Sequence, residues 1–246
     1  ISQKKRFLNL VRSKLTDSYD YLISPASLFD NIFKSAFKIT DKSVIRNGYP
    51  RCDGFFISNE RNDEIRREFH AEGKRLIVYM PTHRGERSSG EFINKEIQRM
   101  KQAESFFKEH NIQILIKPHF YDYGYIQPYL SNEIEIYEQG KNIDVYELLG
   151  ASDALITDYS SIFIDYEILG KPIFFYSPDL NNYLSEQRDM YFNYEDLVQV
   201  FYSDFDGLLS AMQGSNVAYN FPLNFNDDKL GMYSRKLAEN LINKLN

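Results

Sequence analysis

The sequence predicts an α/β protein built on a Rossmann-like, doubly wound parallel sheet, with part of a second Rossmann-like domain. Short, nearly continuous apolar runs recur along the chain, and the strongest of them covers residues 75–80. Such runs are typical of parallel strands that are buried on both faces. Amphipathic segments separate the runs, and strands that alternate with helices form parallel sheets through right-handed crossovers. Several runs end at or just before a proline, which marks the end of a strand.

The first 73 residues contain only two strand candidates, at 19–24 and 44–45. We therefore expect residues 1–73 to form one portion of a separate α/β domain. Apolar residues at helical spacing predict helices in this part at 3–15, 26–37 and 62–71. Gly73 is expected to stop the last of them.

Residues 74–246 are expected to form the main α/β domain. Its strands are predicted at 75–80, 112–116, 154–156 and 173–176. Its helices are predicted at 91–110, 144–150, 161–169 and 230–245. The triplet Asp204-Phe205-Asp206 is interpreted as the start of a further helix rather than as a metal-binding pair, since acidic residues suit a helix N-terminus.

Composition excludes several classes of protein. The 246 residues carry a formal net charge of −6, which argues against broad electrostatic binding of nucleic acid. The single cysteine excludes an internal disulfide and a cysteine-rich zinc site, and four scattered histidines give no zinc motif, so we expect no metal. The chain has no P-loop, no Gly-x-Gly-x-x-Gly fingerprint and no Gly-x-Ser-x-Gly elbow, which disfavours P-loop, dinucleotide-binding and α/β-hydrolase enzymes.

Polar side chains follow the predicted strands of the main domain at the points where they end. Because ligands of open parallel sheets bind beyond the carboxyl ends of the strands, these residues are the candidate site. The group contains two histidines, two cations and three hydroxyls: His83, His119, Arg84, Lys117, Thr157, Ser160 and Ser161. Packing alone does not readily explain polar groups at so many strand ends.

Ser160 and Ser161 directly precede the helix predicted at 161–169. The unpaired N–H groups of a first helical turn and the helix dipole favour an anion such as phosphate. A plain capping role for the serines is about equally consistent with these two residues alone, because Ser is a common N-cap. The neighbouring cations and histidines favour phosphate. His119 could donate to a phosphate oxygen or offset charge on a leaving group, whereas a lone histidine is by default a surface residue.

These strand-end motifs, in this order, resemble the CDP-glycerol glycerophosphotransferase family of teichoic-acid polymerases and primases and related capsule polymerases. The similarity spans about residues 47–194. The most specific stretch is 152–161. The other matching pieces are 48–53, 79–84, 117–119, 165–166, 171–172, 175–176, Asp179, Tyr183 and 188–194.

The resemblance implies a GT-B-like architecture of two Rossmann-like domains. Residues 1–73 would then belong to an acceptor-side domain and residues 74–246 to a domain that binds a CDP-polyol donor. The implied reaction transfers glycerol phosphate or ribitol phosphate from CDP to a hydroxyl of a growing teichoic-acid-like or capsular polymer and releases CMP, without cofactor or metal. The implied catalytic residue is His119.

The donor pyrophosphate is expected to contact Ser160 and Ser161, with Arg84, Lys117 and Thr157 from the same edge. The further candidate site residues are Arg51, His83, Asp158 and Asp165.

Three features of the chain depart from the family pattern. Cys52 stands where the family has Asn, which predicts a different ligand contact by that loop. Ser160 lies 41 positions after His119, which predicts an insertion at about residues 121–140. The family's upstream His-Gly-Thr-Pro motif, which holds the expected general base, is missing. We therefore expect that motif to precede Ile1 in a longer protein, or the chain not to be catalytic alone.

Two other functions stay open at this point. A nucleotide-sugar glycosyltransferase of the same architecture would attack an anomeric carbon instead of a phosphorus. A non-catalytic module would bind CDP or a polymer without turnover.

A cytoplasmic location is expected, because no signal peptide is recognisable and no apolar run approaches the roughly 20 residues that span a bilayer. Lys4, Lys5 and Arg6 lie on the amphipathic helix predicted at 3–15. This helix could contact anionic lipid at the inner face of the membrane, as an enzyme with a lipid-linked acceptor would require. Packing of the helix on its own domain is at least as good an explanation.

Overall fold

The computed structural model describes residues 19–85, 89–126, 131–138, 142–186, 193–214 and 221–245. The helix expected at 3–15, with Lys4, Lys5 and Arg6, lies outside these residues, as does most of the matching piece 188–194. The chain divides into two compact units. The first comprises Ile1–Phe56 and Leu223–Asn246, and the second comprises Ile57–Pro222.

Strands and helices alternate through most of the described chain. The strands are β1 (Leu22–Ser24), β2 (Val44–Arg46), β3 (Arg75–Met80), β4 (Ile112–Ile116), β5 (Ile134–Ile136), β6 (Ala154–Thr157) and β7 (Ile173–Phe175). The helices are α1 (Ser27–Phe37), α2 (Asn59–Glu68), α3 (Ser89–Gln102), α4 (Glu104–Glu109), α5 (Val145–Ala151), α6 (Ile162–Tyr166), α7 (Leu180–Glu186), α8 (Tyr194–Val198), α9 (Phe205–Gln213) and α10 (Tyr233–Leu245).

The first unit contains a two-stranded parallel sheet of β1 and β2, in which Leu22 is paired with Val44. The terminal helix α10 packs on a 3₁₀ turn at Pro50–Phe55. Asp53 in that turn accepts hydrogen bonds from the backbone N–H groups of Tyr233 at 2.6 Å and Ser234 at 2.8 Å. The carboxylate therefore satisfies two of the N–H groups that a helix start leaves without an intrahelical partner.

The compact units divide the chain at residues 56–57 and 222–223, whereas the sequence analysis divided it at 73–74. Long-range pairing explains the difference. Arg61 on α2 forms an ion pair with Glu147 at 2.7 Å, and Arg66 forms one with Asp153 at 2.7 Å, so α2 joins the second unit. Asp53 in turn ties α10 to the first unit.

The second unit is organised around a five-stranded, all-parallel sheet with the order β5-β4-β3-β6-β7. Counted along the chain from β3, this is the order 3-2-1-4-5 of a Rossmann sheet. A parallel bridge between Tyr176 and Tyr202 continues the sheet beyond β7. The strand order reverses between β3 and β6, and this switch point is where such sheets bind their ligands.

Helices cover both faces of this sheet, which confirms the doubly wound prediction. On one face, Ile77, Ile114 and Ile156 share a buried cluster with residues of α3, α4 and α9. On the other, Phe163 of α6 packs edge-on against Phe175 of β7, with ring centroids 5.2 Å apart. Strands β3, β4, β6 and β7 are buried almost throughout, as their continuous apolar runs require.

Some elements differ from the prediction. The segment predicted as an insertion contains a 3₁₀ turn, Phe120–Tyr125, and the three-residue strand β5, which pairs with β4. The helix predicted at 91–110 is divided into α3 and α4 at Ala103. The predicted helix start at Asp204 is confirmed, because its carboxylate accepts a hydrogen bond from the N–H of Gly207 at 2.8 Å.

Candidate functional site

The candidate site lies along the carboxyl edge of the sheet in the second unit. The segments that follow β3, β4, β6 and β7 are residues 81–85, 117–119, 158–161 and 176–179. Since β3 and β6 are adjacent at the switch point, their following segments meet there.

A buried ion network joins the strand ends on the two sides of the switch point. Asp158, the first residue after β6, accepts hydrogen bonds from the backbone N–H of Thr82 at 2.9 Å and from its hydroxyl at 2.6 Å. Arg84 donates from Nη2 to Asp158 at 2.7 Å and from Nε to Asp179 at 2.7 Å. The loop after β3 is thus fixed to the loops after β6 and β7.

Arg84 is enclosed by this network and only 4% exposed. Three aromatic rings also face its guanidinium carbon, with centroids 4.2, 5.0 and 5.3 Å away: Phe92, Tyr159 and Tyr183. Burial would lower the pKa of Arg84, but the charge of Asp158 and the hydrogen bond to Asp179 raise it above its ordinary value. Arg84 is therefore a permanent cation whose charge already faces two carboxylates.

Two other predicted site residues are also occupied by internal hydrogen bonds. Thr157 is fully buried and donates its hydroxyl to the Met80 carbonyl at 2.8 Å. Asp165 is 4% exposed and accepts a hydrogen bond from the Tyr146 hydroxyl at 2.8 Å. Direct contact of Arg84, Thr157 or Asp165 with a ligand stays a prediction, whereas their packing within the protein is a feature of the structure.

The structure brings His83 and His119 together, although they follow different strands. Their rings stack with centroids 5.1 Å apart, and the Tyr121 ring lies 5.5 Å from that of His119. Asp122, whose side chain is 3% exposed, lies 2.7 Å from Nδ1 of His83. A carboxylate in this position keeps a proton on Nδ1 and fixes the orientation of the ring.

Asp122 was missed by the sequence analysis. It lies in the 3₁₀ turn that follows β4, 39 positions after its partner His83. The sequence feature that could have identified Asp122 as a site residue is its position, three residues after His119 at the end of a predicted strand.

His119 is an exposed residue at the start of the same turn. The backbone N–H of Tyr121 lies 3.5 Å from its Nδ1, which favours the tautomer with the proton on Nε2. Burial of part of the ring, together with His83 and Lys117 nearby, lowers the pKa of His119, and the charge of Asp122 opposes that shift. A largely neutral ring at pH 7 can donate a hydrogen bond from Nε2 to an anionic oxygen.

Lys117 brings a half-buried cation to the same edge. Its ammonium donates to the carbonyl of Pro118 at 3.1 Å, and burial lowers the pKa of Lys117. An anionic ligand would offset that burial, because a nearby negative charge favours the charged form of lysine.

Ser160 and Ser161 lie at the start of α6, as predicted. Ser161 occupies the N-cap position with a helical backbone and no capping hydrogen bond from its side chain. The Ser160 hydroxyl lies 3.5 Å from the N–H of Ile162. Helix α6 has five residues and continues as a 3₁₀ turn, Glu167–Leu169. Ser160 is partly exposed and Ser161 is exposed, so both are accessible from the sheet edge.

Arg51 and Cys52 belong to the first unit. The guanidinium of Arg51 lies 4.0 Å above the Tyr49 ring, and the residue is exposed. Cys52 is fully buried in the 3₁₀ turn. Its side chain therefore packs inside this unit, and the substitution for Asn does not present a thiol to a ligand.

Within the described ranges, no group of three or more His, Cys, Asp or Glu side chains is placed to hold a metal ion. In the same part of the chain, no helix has the length and apolar character needed to cross a membrane.

A parallel sheet in Rossmann order, with a polar site at its switch point, makes the second unit a Rossmann-like α/β domain. The chain belongs to the family described as CDP-Glycerol:Poly(glycerophosphate) glycerophosphotransferase, which matches residues 3–218. The resemblance recognised from the strand-end motifs is therefore confirmed.

Curated relatives include both polyol types. A teichoic acid poly(glycerol phosphate) polymerase of Staphylococcus epidermidis is 34% identical over 217 residues, which cover 80% of this chain and 28% of that protein. A teichoic acid ribitol-phosphate primase of Bacillus spizizenii is 30% identical over 188 residues, covering 74% of this chain and 46% of that protein. The chain thus spans less than half the length of these two relatives.

Solved structures agree with the fold. A structure of the wall teichoic acid polymerase TagF with CDPG covers 100% of this chain and 62% of its own, with 28% identity and a TM-score of 0.74. A UDP-GlcNAc 2-epimerase from Neisseria meningitidis has a TM-score of 0.55 at 16% identity and covers 91% of this chain and 62% of its own. The second likeness supports the fold alone.

Proposed function

We propose that the whole protein transfers glycerol phosphate or ribitol phosphate from a CDP-activated donor to a hydroxyl of a teichoic-acid-like polymer. The observation that carries the proposal is the family match over residues 3–218, which includes every segment of the strand-end site. Relatives named as glycerol-phosphate and ribitol-phosphate enzymes support a polyol phosphate as the group transferred. They leave the polyol itself to experiment.

In the proposed reaction, an acceptor hydroxyl attacks the β-phosphorus of the donor. A new oxygen–phosphorus bond forms, the bond from that phosphorus to the bridging oxygen breaks, and CMP leaves with the electron pair. The acceptor proton passes to a general base. The protein's part in such a transfer is mainly to position the phosphates and to stabilise their charge.

His119, Lys117, Ser160 and Ser161 are the proposed donor contacts, because they combine hydrogen-bond donors and positive charge with partial exposure at the strand ends. His119 would donate from Nε2 to an oxygen of the leaving phosphate, since the Nε2–H is present in this neutral tautomer and in the imidazolium alike. Arg84 is proposed to act indirectly, by fixing the loop after β3 through its carboxylate partners, the buried Asp158 and the partly exposed Asp179.

The serine pair gives a direct test in the full-length protein. Changing Ser160 and Ser161 together to Ala should raise the KM for CDP-glycerol or CDP-ribitol at least tenfold, since about 1.4 kcal/mol of hydrogen bonding is worth a factor of ten. Ser185→Ala is the matched control, because this exposed serine lies on α7 and donates to the Asn182 carbonyl. Wild-type turnover in the double variant would end the assignment of the serines.

The choice of donor tests the reaction class. Release of CMP should be seen with CDP-glycerol or CDP-ribitol and not with a panel of sugar nucleotides. Transfer from a sugar nucleotide would favour a glycosyltransferase, and binding of CDP without any turnover would favour a non-catalytic module.

A further inference from the structure

The first unit has a pocket of its own, with a volume of about 280 Å³. It lies beyond the carboxyl ends of the two parallel strands. Of its lining residues, Pro25 follows β1, Arg46 is the last residue of β2, and Asn47 and Gly48 follow β2. The opposite wall consists of Asp227, Asp228, Lys236, Glu239 and Asn240. Parallel α/β sheets bind ligands at this edge of their strands, so the pocket occupies a ligand-binding position of the fold.

The cations of this pocket are already paired with carboxylates. Arg46 forms ion pairs with Asp30 and, at 3.4 Å, with Asp227. Lys236 forms an ion pair with Asp228. With Glu239 as a further acid in the lining, the pocket carries no excess positive charge. Free phosphate would have to compete with these carboxylates, so the electrostatics disfavour an anionic ligand.

The remaining lining groups suit hydroxyls. Asn47 is 6% exposed, and its Nδ2 donates to the carbonyls of Gly48 at 2.6 Å and Tyr233 at 3.0 Å. From the residues that the structure describes, its Oδ1 receives one long contact, at 3.5 Å from Nδ2 of Asn240. A ligand hydroxyl placed between these amides could donate to Oδ1 of Asn47 and accept from Asn240, since a hydroxyl is both donor and acceptor. Carboxylate oxygens on the opposite wall offer acceptors for the next hydroxyls along a chain.

We propose that this pocket binds a neutral polyhydroxyl chain. Asn47 and Asn240 would form hydrogen bonds with one hydroxyl, and the carboxylates of the opposite wall would accept hydrogen bonds from the neighbouring hydroxyls of the same ligand. The pocket volume of about 280 Å³ lies at the lower end of the range of about 300–1,000 Å³ for pockets that take drug-sized ligands, which agrees with a small ligand. The proposal does not depend on the donor chemistry of the second unit.

Ligand-observed NMR on the full chain tests the proposal with glycerol, ribitol and inorganic phosphate as separate probes and no nucleotide present. Ribitol should bind saturably in the millimolar range, glycerol more weakly, and phosphate should neither bind there nor displace ribitol. Asn240→Leu should weaken ribitol binding about tenfold, the loss expected from one or two hydrogen bonds. The matched control is Asn182→Leu, an exposed asparagine on α7 of the second unit.

Glu239→Ala is a second variant, because Glu239 is 57% exposed and its replacement leaves the packing of α10 intact. It should weaken ribitol binding several-fold. Absence of saturable ribitol binding, phosphate binding at least as tight as that of ribitol, or an unchanged affinity in both variants would overturn the proposal. Ribitol binding that persists in a protein without transferase activity would leave it standing and would refute only the transferase proposal.

Discussion

Replacing Arg84 by Met tests whether the ion network at the switch point is structural. Met keeps an unbranched apolar stem and removes the guanidinium from Asp158, whose side chain is 1% exposed, and from Asp179, which is 23% exposed. Removing one partner of a buried pair costs about 3–5 kcal/mol, because the other charge is left uncompensated. For a chain of this size, about 2–4 °C of melting temperature accompanies each kcal/mol. The Tm should therefore fall by about 6–20 °C.

Thermal unfolding followed by circular dichroism at pH 7 measures this change. Arg61→Met is the matched control, because Arg61 is 30% exposed and its ion pair with Glu147 lies near the surface. Such pairs contribute about 0–1 kcal/mol. Arg84→Met combined with Asp158→Asn should recover part of the lost Tm, since the double variant no longer buries the Asp158 charge without its guanidinium partner. Equal Tm values for Arg84→Met and the control would refute the structural role and return Arg84 to the candidates for direct contact with phosphate.

Two further predictions concern carboxylates that the sequence did not single out for these roles. Asp53→Ala should lower the free energy of unfolding by about 0.5–2 kcal/mol in urea at pH 7, through loss of the cap on α10, and Asp53→Asn should lose less. Burial raises the pKa of Asp53, but hydrogen bonds from the start of α10 outweigh burial and lower the pKa overall. The contribution of Asp53 to stability is therefore present at neutral pH and is lost as the pH falls through that lowered pKa. An equal loss of unfolding free energy in the Ala and Asn variants would contradict the cap. Asp122→Asn removes a charge that raises the pKa of His119, so NMR titration should find that pKa lowered further, whereas the exposed Asp196→Asn should leave it unchanged. An upward shift of the His119 pKa in Asp122→Asn would contradict this electrostatic assignment.

The strands of the second unit were predictable because each is buried on both faces and is therefore apolar almost without interruption. Given parallel strands, the carboxyl edge and its polar residues follow from the fold class. Strand β5 was not predictable in the same way, since three residues with an intervening glutamate give neither length nor continuous apolarity. The division into units depends on Asp53 and Arg61 meeting partners 180 and 86 positions away, and no local pattern records such contacts.

Side-chain partners at the site were beyond the sequence for a related reason. Arg84 at a strand end has the residue type and position of a phosphate ligand, and only the fold shows that two carboxylates and three rings already surround it. Spacing along the chain reports which edge a residue occupies but not whether its charge points inward or outward.

The buried and the accessible polar groups at this edge have different physical tasks. Arg84, the buried Asp158 and the partly exposed Asp179 are connected by short charge-assisted hydrogen bonds, and such contacts fix the positions of the loops that bear them. Lys117 and His119 are less buried, and the pKa of each is lowered, mainly by burial, so each would gain positive charge when an anion approaches. A diphosphate bound here would therefore be stabilised by Lys117 and His119, whose protonated forms it favours. The charges of Arg84, Asp158 and Asp179 already compensate one another. It follows that donor affinity should fall as the pH rises through the lowered pKa values of Lys117 and His119.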